Sequence, residues 1–325
     1  MKNVGVKVLL YTSALVVLSA LPFLVGSYWK SVFIMIFFYA YLGLAWNILG
    51  GFAGQLSIGH ALYLGIGAYT STFLLTHFQL TPLIGVLIGA VTTMSVGVCI
   101  GYLCFRYGLK GHYFALSTIA FAEIGRIGVL NLKFLGGAKG LLLPFQRGNS
   151  FYHLQFSEPT FYYFLIFVLM IAGFVVNYAV RQSKLGYYLL AIREDEASAE
   201  ALGINAFKYK LMALALSSFM SGMGGTFLAQ YFMYIQPDSI MSLPQSIEIL
   251  IRPIIGGSGT ILGPVIGAFI LGPLQEITRT FFAGHAGFHL MVYGIVIVLV
   301  MLFLPEGIWG GLARLTERRK DIEGN

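Results

Sequence analysis

The sequence predicts an all-α polytopic membrane protein of about 8–10 transmembrane or half-membrane helices with glycine-broken segments. Three observations predict it. Hydrophobic residues fill 58% of 325 positions and charged ones only 10%, whereas soluble domains carry about 25% charged residues. Apolar runs of about 20 residues, the length that crosses a hydrocarbon core, recur along the chain. Glycine is abundant, at 40 residues, which suits helices that approach closely in lipid, where association rests on dispersion contacts.

The first run, Val8–Gly26, begins like a signal peptide, with Lys2 and Lys7 before an apolar core. It is longer than such a core and Val32–Leu49 follows at once, so it is read as a membrane helix. A glycine-rich interruption comes next, from Gly50 through Gly51 and Gly54 to Gly59, with Gln55 and Ser57 inside it. Leu56–Leu75 and Leu83–Phe105 are further spans; the latter holds Cys99 and Cys104, read as buried membrane residues and not as a disulfide or metal pair. Tyr113–Leu130 carries Glu123 and Arg126, spaced i, i+3, and Thr160–Val180 is a clear span.

Residues 181–210 form a short charged block between two apolar stretches. Within it Arg193–Leu202 reads as one helix, rich in Ala, with Glu194, Asp195 and Glu196 at its start, where the helix dipole favours negative charge. Gly203 ends it as a residue able to take the left-handed conformation. Ala197, Ala201 and Ile204 are expected on one face with small side chains. The block is either a solvated linker or a docking helix for a cytosolic partner.

Lys210–Met233 and Phe288–Leu304 are clear spans, and between them lies the glycine-interrupted region Ser246–Ile277. There Gly256-Gly257-Ser258-Gly259, flanked by Pro253 and Pro264 and followed by Thr260, is the natural turning point. Basic residues set the orientation. With the block in the cytosol, 13 of the 20 Lys and Arg lie inside, five lie outside, and Arg126 and Arg252 fall within the membrane. Parity then requires Ser246–Ile277 to enter and return, and places both termini, including a basic tail at 306–325, in the cytosol. Two glycine-broken segments, one in each half, point to a transport path, since non-helical backbone at membrane depth persists only beside protein, water or solute.

Intramembrane charges need partners. Glu123 with Arg126, Glu248 with Arg252, and Glu276 with Arg279 can each meet on one helix face; they either hold helices together or line the path. His285 and His289 have the spacing of two metal ligands, but no Glu stands between them and no third ligand is near. No Gly-x-Ser-x-Gly elbow, His-Glu-x-x-His or Gly-x4-Gly-Lys-Ser/Thr occurs, so neither a membrane hydrolase nor ATP binding through a phosphate loop is supported. No basic stripe interleaves with aromatics, which argues against nucleic acid.

Four ordered motifs resemble one family. They are Leu44-Ala-Trp-Asn-Ile-Leu-Gly-Gly-Phe-Ala-Gly-Gln-Leu-Ser-Ile-Gly-His60; Tyr113-Phe-Ala-Leu-Ser-Thr-Ile-Ala-Phe-Ala-Glu-Ile124 with Gly136–Gly140; Ala191-Ile-Arg-Glu-Asp-Glu-Ala-Ser-Ala-Glu-Ala-Leu-Gly-Ile-Asn205; and Ile254-Ile-Gly-Gly-Ser-Gly-Thr-Ile-Leu-Gly-Pro-Val-Ile-Gly-Ala268. Together they are similar to the branched-chain amino-acid ABC-importer permeases, the LivM-like group, from about residue 40 to 305. The general importer pattern puts Gly six positions after Glu, whereas Gly203 follows Glu196 by seven.

The resemblance implies a single permease domain over 1–325 in a bacterial inner membrane. It would bind no cofactor itself; ATP would be bound by two cytosolic ATPase subunits. A second permease subunit and an extracytoplasmic solute-binding protein would complete the importer. The coupling segment would span 186–206, with Arg193, Glu194, Asp195, Glu196, Ala197, Glu200, Ala201 and Gly203 meeting the ATPase. The expected path residues are Gly51, Gly54, Gln55, Ser57, Glu123, Glu248, Arg252, Gly256, Gly257 and Thr260. The competing reading is a stand-alone channel or ion-coupled carrier that uses Glu123 and Glu248.

Overall fold

The computed structural model describes residues 15–143 and 152–282, with Ser13 and scattered residues between 291 and 310. Most of the expected last span, Phe288–Leu304, both His285 and His289, and the tail from 311 onward lie outside the described residues, as does the start of the first span.

The described chain is a helical bundle. A short apolar helix α1 (Leu15–Leu24) precedes α2 (Ser27–Trp46), which continues as a π-helical turn, Asn47–Phe52. Then come α3 (His60–Phe78), α4 (Pro82–Arg106), α5 (Gly111–Asn131), α6 (Pro159–Gln182), α7 (Lys184–Glu194), α8 (Glu196–Ala201) and α9 (Ala206–Phe232). A four-residue helix α10 (Pro237–Ile240) leads into α11 (Leu243–Gly257) and α12 (Gly263–Phe281). One antiparallel strand pair, β1 (Leu141–Leu142) with β2 (Tyr234–Ile235), ties two loops together.

Five of the described helical segments are long and apolar enough to cross a membrane. Their burial sorts them. The α2 segment and α9 are 78% and 67% buried, against 33%, 22% and 39% for α4, α5 and α6. Thus α2 and α9 are central, and the other three turn an apolar face outward, as Leu83, Leu87, Val91, Leu116 and Val168 do.

Small residues make the centre possible. On α4, Gly97 and Gly101 face α9, where a Cβ would press into Ser218 or Leu214, and Gly89 lies against the Gly67 backbone of α3. At the α3–α9 crossing a Cβ on Gly67 would overlap the Gly222 carbonyl, so only glycine allows that backbone separation. Cys104 is buried on α4 but Cys99 is exposed. Five residues of helix rotate a side chain by about 140°, so the two cannot share a face; the expectation that both are buried is corrected.

Other boundaries also shift. Leu56 to Gly59 is not helical, and α3 starts only at His60. The α9 helix starts at Ala206, capped by the Asn205 side chain accepting from Lys208 N–H at 2.9 Å. Ser246–Ile277 reverses direction as the pair α11 and α12. Their backbones meet at Gly256, Gly263 and Gly267, where a Cβ would overlap a carbonyl of the facing helix or turn.

Charged side chains and their partners mark the two ends of the bundle. At one end Glu196 bonds Lys210 at 2.7 Å and meets Lys110 at 3.4 Å, joining α8 to the starts of α9 and α5. At the other, Lys30 bonds Thr160 at 2.9 Å, Arg126 pairs with Asp238, and Tyr28 bonds Glu276. Arg126, expected within the membrane, is instead at this second end, because Asp238 of α10 reaches it there.

Candidate functional site

The two glycine breaks, far apart in sequence, meet at one side chain. Asn47, fully buried where α2 becomes π-helical, accepts the Gly259 N–H at 2.8 Å and donates to the Thr260 carbonyl at 2.9 Å. Its amide also donates to Asn177 Oδ1 on α6 at 3.2 Å, while Asn177 Nδ2 donates to the carbonyls of Leu44 and Gly173, both at 3.0 Å. The α11–α12 turn is thereby bonded to the α2 break and to α6. Broken backbone in a bilayer must find such partners, because each unsatisfied group there costs several kcal/mol. Gly51 must be glycine here: a Cβ would collide with Asn47 Oδ1 and sit 2.6 Å from Gly259 N.

A third element joins this node. Arg193, at the end of α7, donates from Nη1 to the Gly51 carbonyl at 2.7 Å. Its aliphatic stem lies over Gly54, which has φ +65°, and the same guanidinium occupies the space a Cβ on Gly259 would need. One arginine therefore touches both breaks.

The charged block departs from the single helix expected. It is two helices, because Asp195 is extended, with φ −155° and ψ 113°, and caps α8. Its carboxylate accepts Ser198 N–H at 2.6 Å. Bonding to Ser198 holds the Asp195 carboxyl below the usual carboxylate range, with Lys110 adding to it. With the folded pKa depressed, the cap's contribution is present above the ordinary carboxylate pKa and is lost only as pH falls through the lowered value.

Arg193 and Glu194 thus end α7, and Glu196 begins α8 and turns inward to Lys110 and Lys210. Ala199 and Ile204 pack with Ile192 and Ala206, so Ile204 is not on the outer face. Glu194, Ala197, Glu200 and Ala201 are exposed, and Gly203, φ +86°, closes the segment in the left-handed conformation expected of it.

Residues 28–301 match the family described as "Branched-chain amino acid transport system / permease component". The chain belongs to this permease family. It is 28% identical to the high-affinity branched-chain amino acid transport system permease protein LivM of Escherichia coli K12, over 93% of this chain and 75% of that protein. It is 20% identical to the corresponding LivH of Salmonella typhimurium LT2, over 84% and 91% of the two chains. It is 26% identical to the probable LivH of Methanocaldococcus jannaschii, over 76% and 81%. No solved structure matches.

Within this permease the remaining expected path residues fall into three places. Ser57 is fully buried, bonded to His60 Nδ1 at 3.0 Å, and His60 Nε2 bonds Ser217 on α9 at 2.9 Å. Gln55 is buried beside it and donates to the Ala53 carbonyl at 3.2 Å. Thr260, half-buried, lines a cavity of about 630 Å³ against Tyr178 and Arg181, and its hydroxyl bonds the Gly257 carbonyl and the Gly263 N–H. Gly256 and Gly257 are buried at the α11–α12 contact, Gly257 with φ +120°.

The two Glu–Arg pairs lie apart from this node. Glu123 is exposed on α5 and paired with Arg126, which also holds Asp238 at the opposite end of the bundle. Arg252 is 1% exposed on α11; its Nη1 lies 2.6 Å from the Glu248 carboxylate, and its guanidinium stacks 3.7 Å from the Tyr39 ring centroid. Both pairs form along one helix, as their spacing predicts. Sequence reasoning missed Asn47, Asn177 and Ser217. Their signal was present: each is a polar residue inside an apolar run, and such residues have partners in the bundle interior.

Proposed function

We propose that this chain is the membrane subunit of an ATP-driven importer for branched-chain amino acids, docked through α7 and α8 on separate ATPase subunits. A second permease and an extracytoplasmic binding protein complete the assembly, and the Lys110 end of the bundle faces the cytosol of a bacterium. Family membership and the names of the relatives support the class of solute. One structural observation supports the mechanism: the exposed α7–α8 segment reaches, through Arg193, both glycine breaks of the membrane domain. Movement of that segment against an ATPase displaces Gly51 and the α11–α12 turn together.

Uptake of labelled leucine into proteoliposomes holding the assembled importer tests the solute class, with urea and polar amino acids as competitors. Leucine uptake driven by internal ATP is expected; transport of urea alone overturns the reading. Docking has its own test. Ala201→Arg adds a long charge to the outer face of α8, and Gly203→Val imposes a left-handed conformation costing about 1–2 kcal/mol on a β-branched residue. Both variants are expected to reach the membrane in normal amounts and to lose solute-stimulated ATP hydrolysis. Unaltered stimulation in both excludes α8 as the docking helix.

A further inference from the structure

At the end of the bundle away from α8, two cavities of about 380 Å³ each adjoin, sharing Met35, Tyr39 and Phe232. Their walls differ in character. The first is lined by Arg252, Gln275, Glu276 and Arg279, with Tyr28 and Tyr231. The second is closed mainly by Leu228, Ile235 and Ile240, with Gln245 and Ser239 at its margin. A charged chamber thus lies beside an apolar one, with Met35, Tyr39 and Phe232 lining both.

One nitrogen of Arg252 has no partner. Its Nη1 meets Glu248 and its Nη2 donates to Gln275 Oε1 at 3.2 Å, but its Nε–H has no hydrogen-bond partner among the described residues. A buried guanidinium is costly unless its donors are used, and here both Arg252 Nε and the neighbouring Glu248 Oε2 are buried without a hydrogen-bond partner among the described residues, so the pair beside this cavity is incompletely satisfied. The chamber is not simply cationic. Glu276 sits in it, bonded to Tyr28 and, at 2.8 Å, to Arg279. Both signs of charge beside an apolar chamber match a molecule carrying an anion, a cation and a hydrocarbon arm.

We propose that these cavities form a binding site, within the permease itself, for the zwitterion of an aliphatic amino acid. The carboxylate pairs with the Arg252 and Arg279 guanidinium groups, the ammonium lies against Glu276, and the branched side chain enters between Leu228, Ile235 and Ile240. The site selects for solute size independently of any binding protein. This inference rests on the import function proposed above.

The assembled importer in lipid nanodiscs, without its binding protein, is titrated with labelled leucine and alanine, and uptake is measured in matched proteoliposomes. Arg252→Gln is expected to weaken leucine binding about tenfold or more, with Arg252→Lys in between. Met35→Trp, on the half-buried wall shared by the two cavities, fills the apolar chamber; leucine uptake is expected to fall about tenfold relative to alanine uptake. Such a change in selectivity is one that a loss of folding does not produce. If the wild type imports leucine while Met35→Trp lowers leucine and alanine uptake equally, the site is overturned and the import function stands. A phospholipid that saturating leucine does not displace, detected on the importer by native mass spectrometry, also overturns it, because a lipid headgroup would then own the chamber. A wild type that imports no amino acid overturns the import function instead.

Discussion

Replacing Arg193 by alanine is expected to separate ATP hydrolysis from uptake. The side chain supplies the direct bond from the α7–α8 segment to the Gly51 carbonyl, and it packs on Gly54 and against Gly259. Coupling free energies between sites run at about 1–3 kcal/mol, or roughly 5- to 150-fold. Loss of this contact should therefore lower solute moved per ATP by about tenfold or more, with basal hydrolysis retained. Arg193→Lys keeps a donor but not the planar fork that reaches both breaks, so partial recovery is expected. Simultaneous assay of phosphate release and solute uptake in proteoliposomes decides the matter. Equal loss of both would mean that Arg193 supports folding or assembly and does not couple.

The largest effect on stability is expected from Asn47→Leu. That change keeps approximate size but strips partners from the Gly259 N–H, the Thr260 carbonyl and Asn177 Oδ1 at once. A buried polar group left without a partner costs about 1–3 kcal/mol, so several together are a large part of a marginal total of about 5–15 kcal/mol. The α11–α12 turn should detach from α2 first, seen as raised hydrogen exchange around residues 257–262 before any global loss of helix. Asn177→Leu leaves both bonds to the turn in place and should disturb exchange there less. An Asn47→Leu protein with unchanged exchange at the turn and an unchanged melting point would show that water replaces the amide there, and that the node is not a structural clamp.

Much of this could be read from the chain because a bilayer makes the rules local. A run of about 20 apolar residues is a span wherever it occurs, a glycine cluster with flanking proline interrupts it, and basic loops group by side. On those grounds the all-α membrane class, most spans, the reversal of the chain within Ser246–Ile277 and the left-handed stop at Gly203 were all legible. The i, i+3 and i, i+4 spacings likewise identified the Glu123–Arg126 and Glu248–Arg252 pairs, since neighbours on one helix face need no knowledge of the fold.

Only the tertiary structure decided which distant groups these elements meet. Asn47 and Gly259 stand 212 positions apart and bond directly, a relation that no periodicity carries. Arg193 reads from the sequence as part of an outward docking face, yet its guanidinium turns onto Gly51, because the π-turn there leaves a carbonyl outside the helical ladder. Glu196 looks like a surface acid and is instead held between Lys110 and Lys210. Ser57 lies in a break that suggests access to a path, yet packing against His60 and α9 seals it. The physical reason is common to all four. Hydropathy and spacing report what a residue does to its own segment, whereas a broken backbone takes its missing partners from whichever segments the packing of small residues brings close.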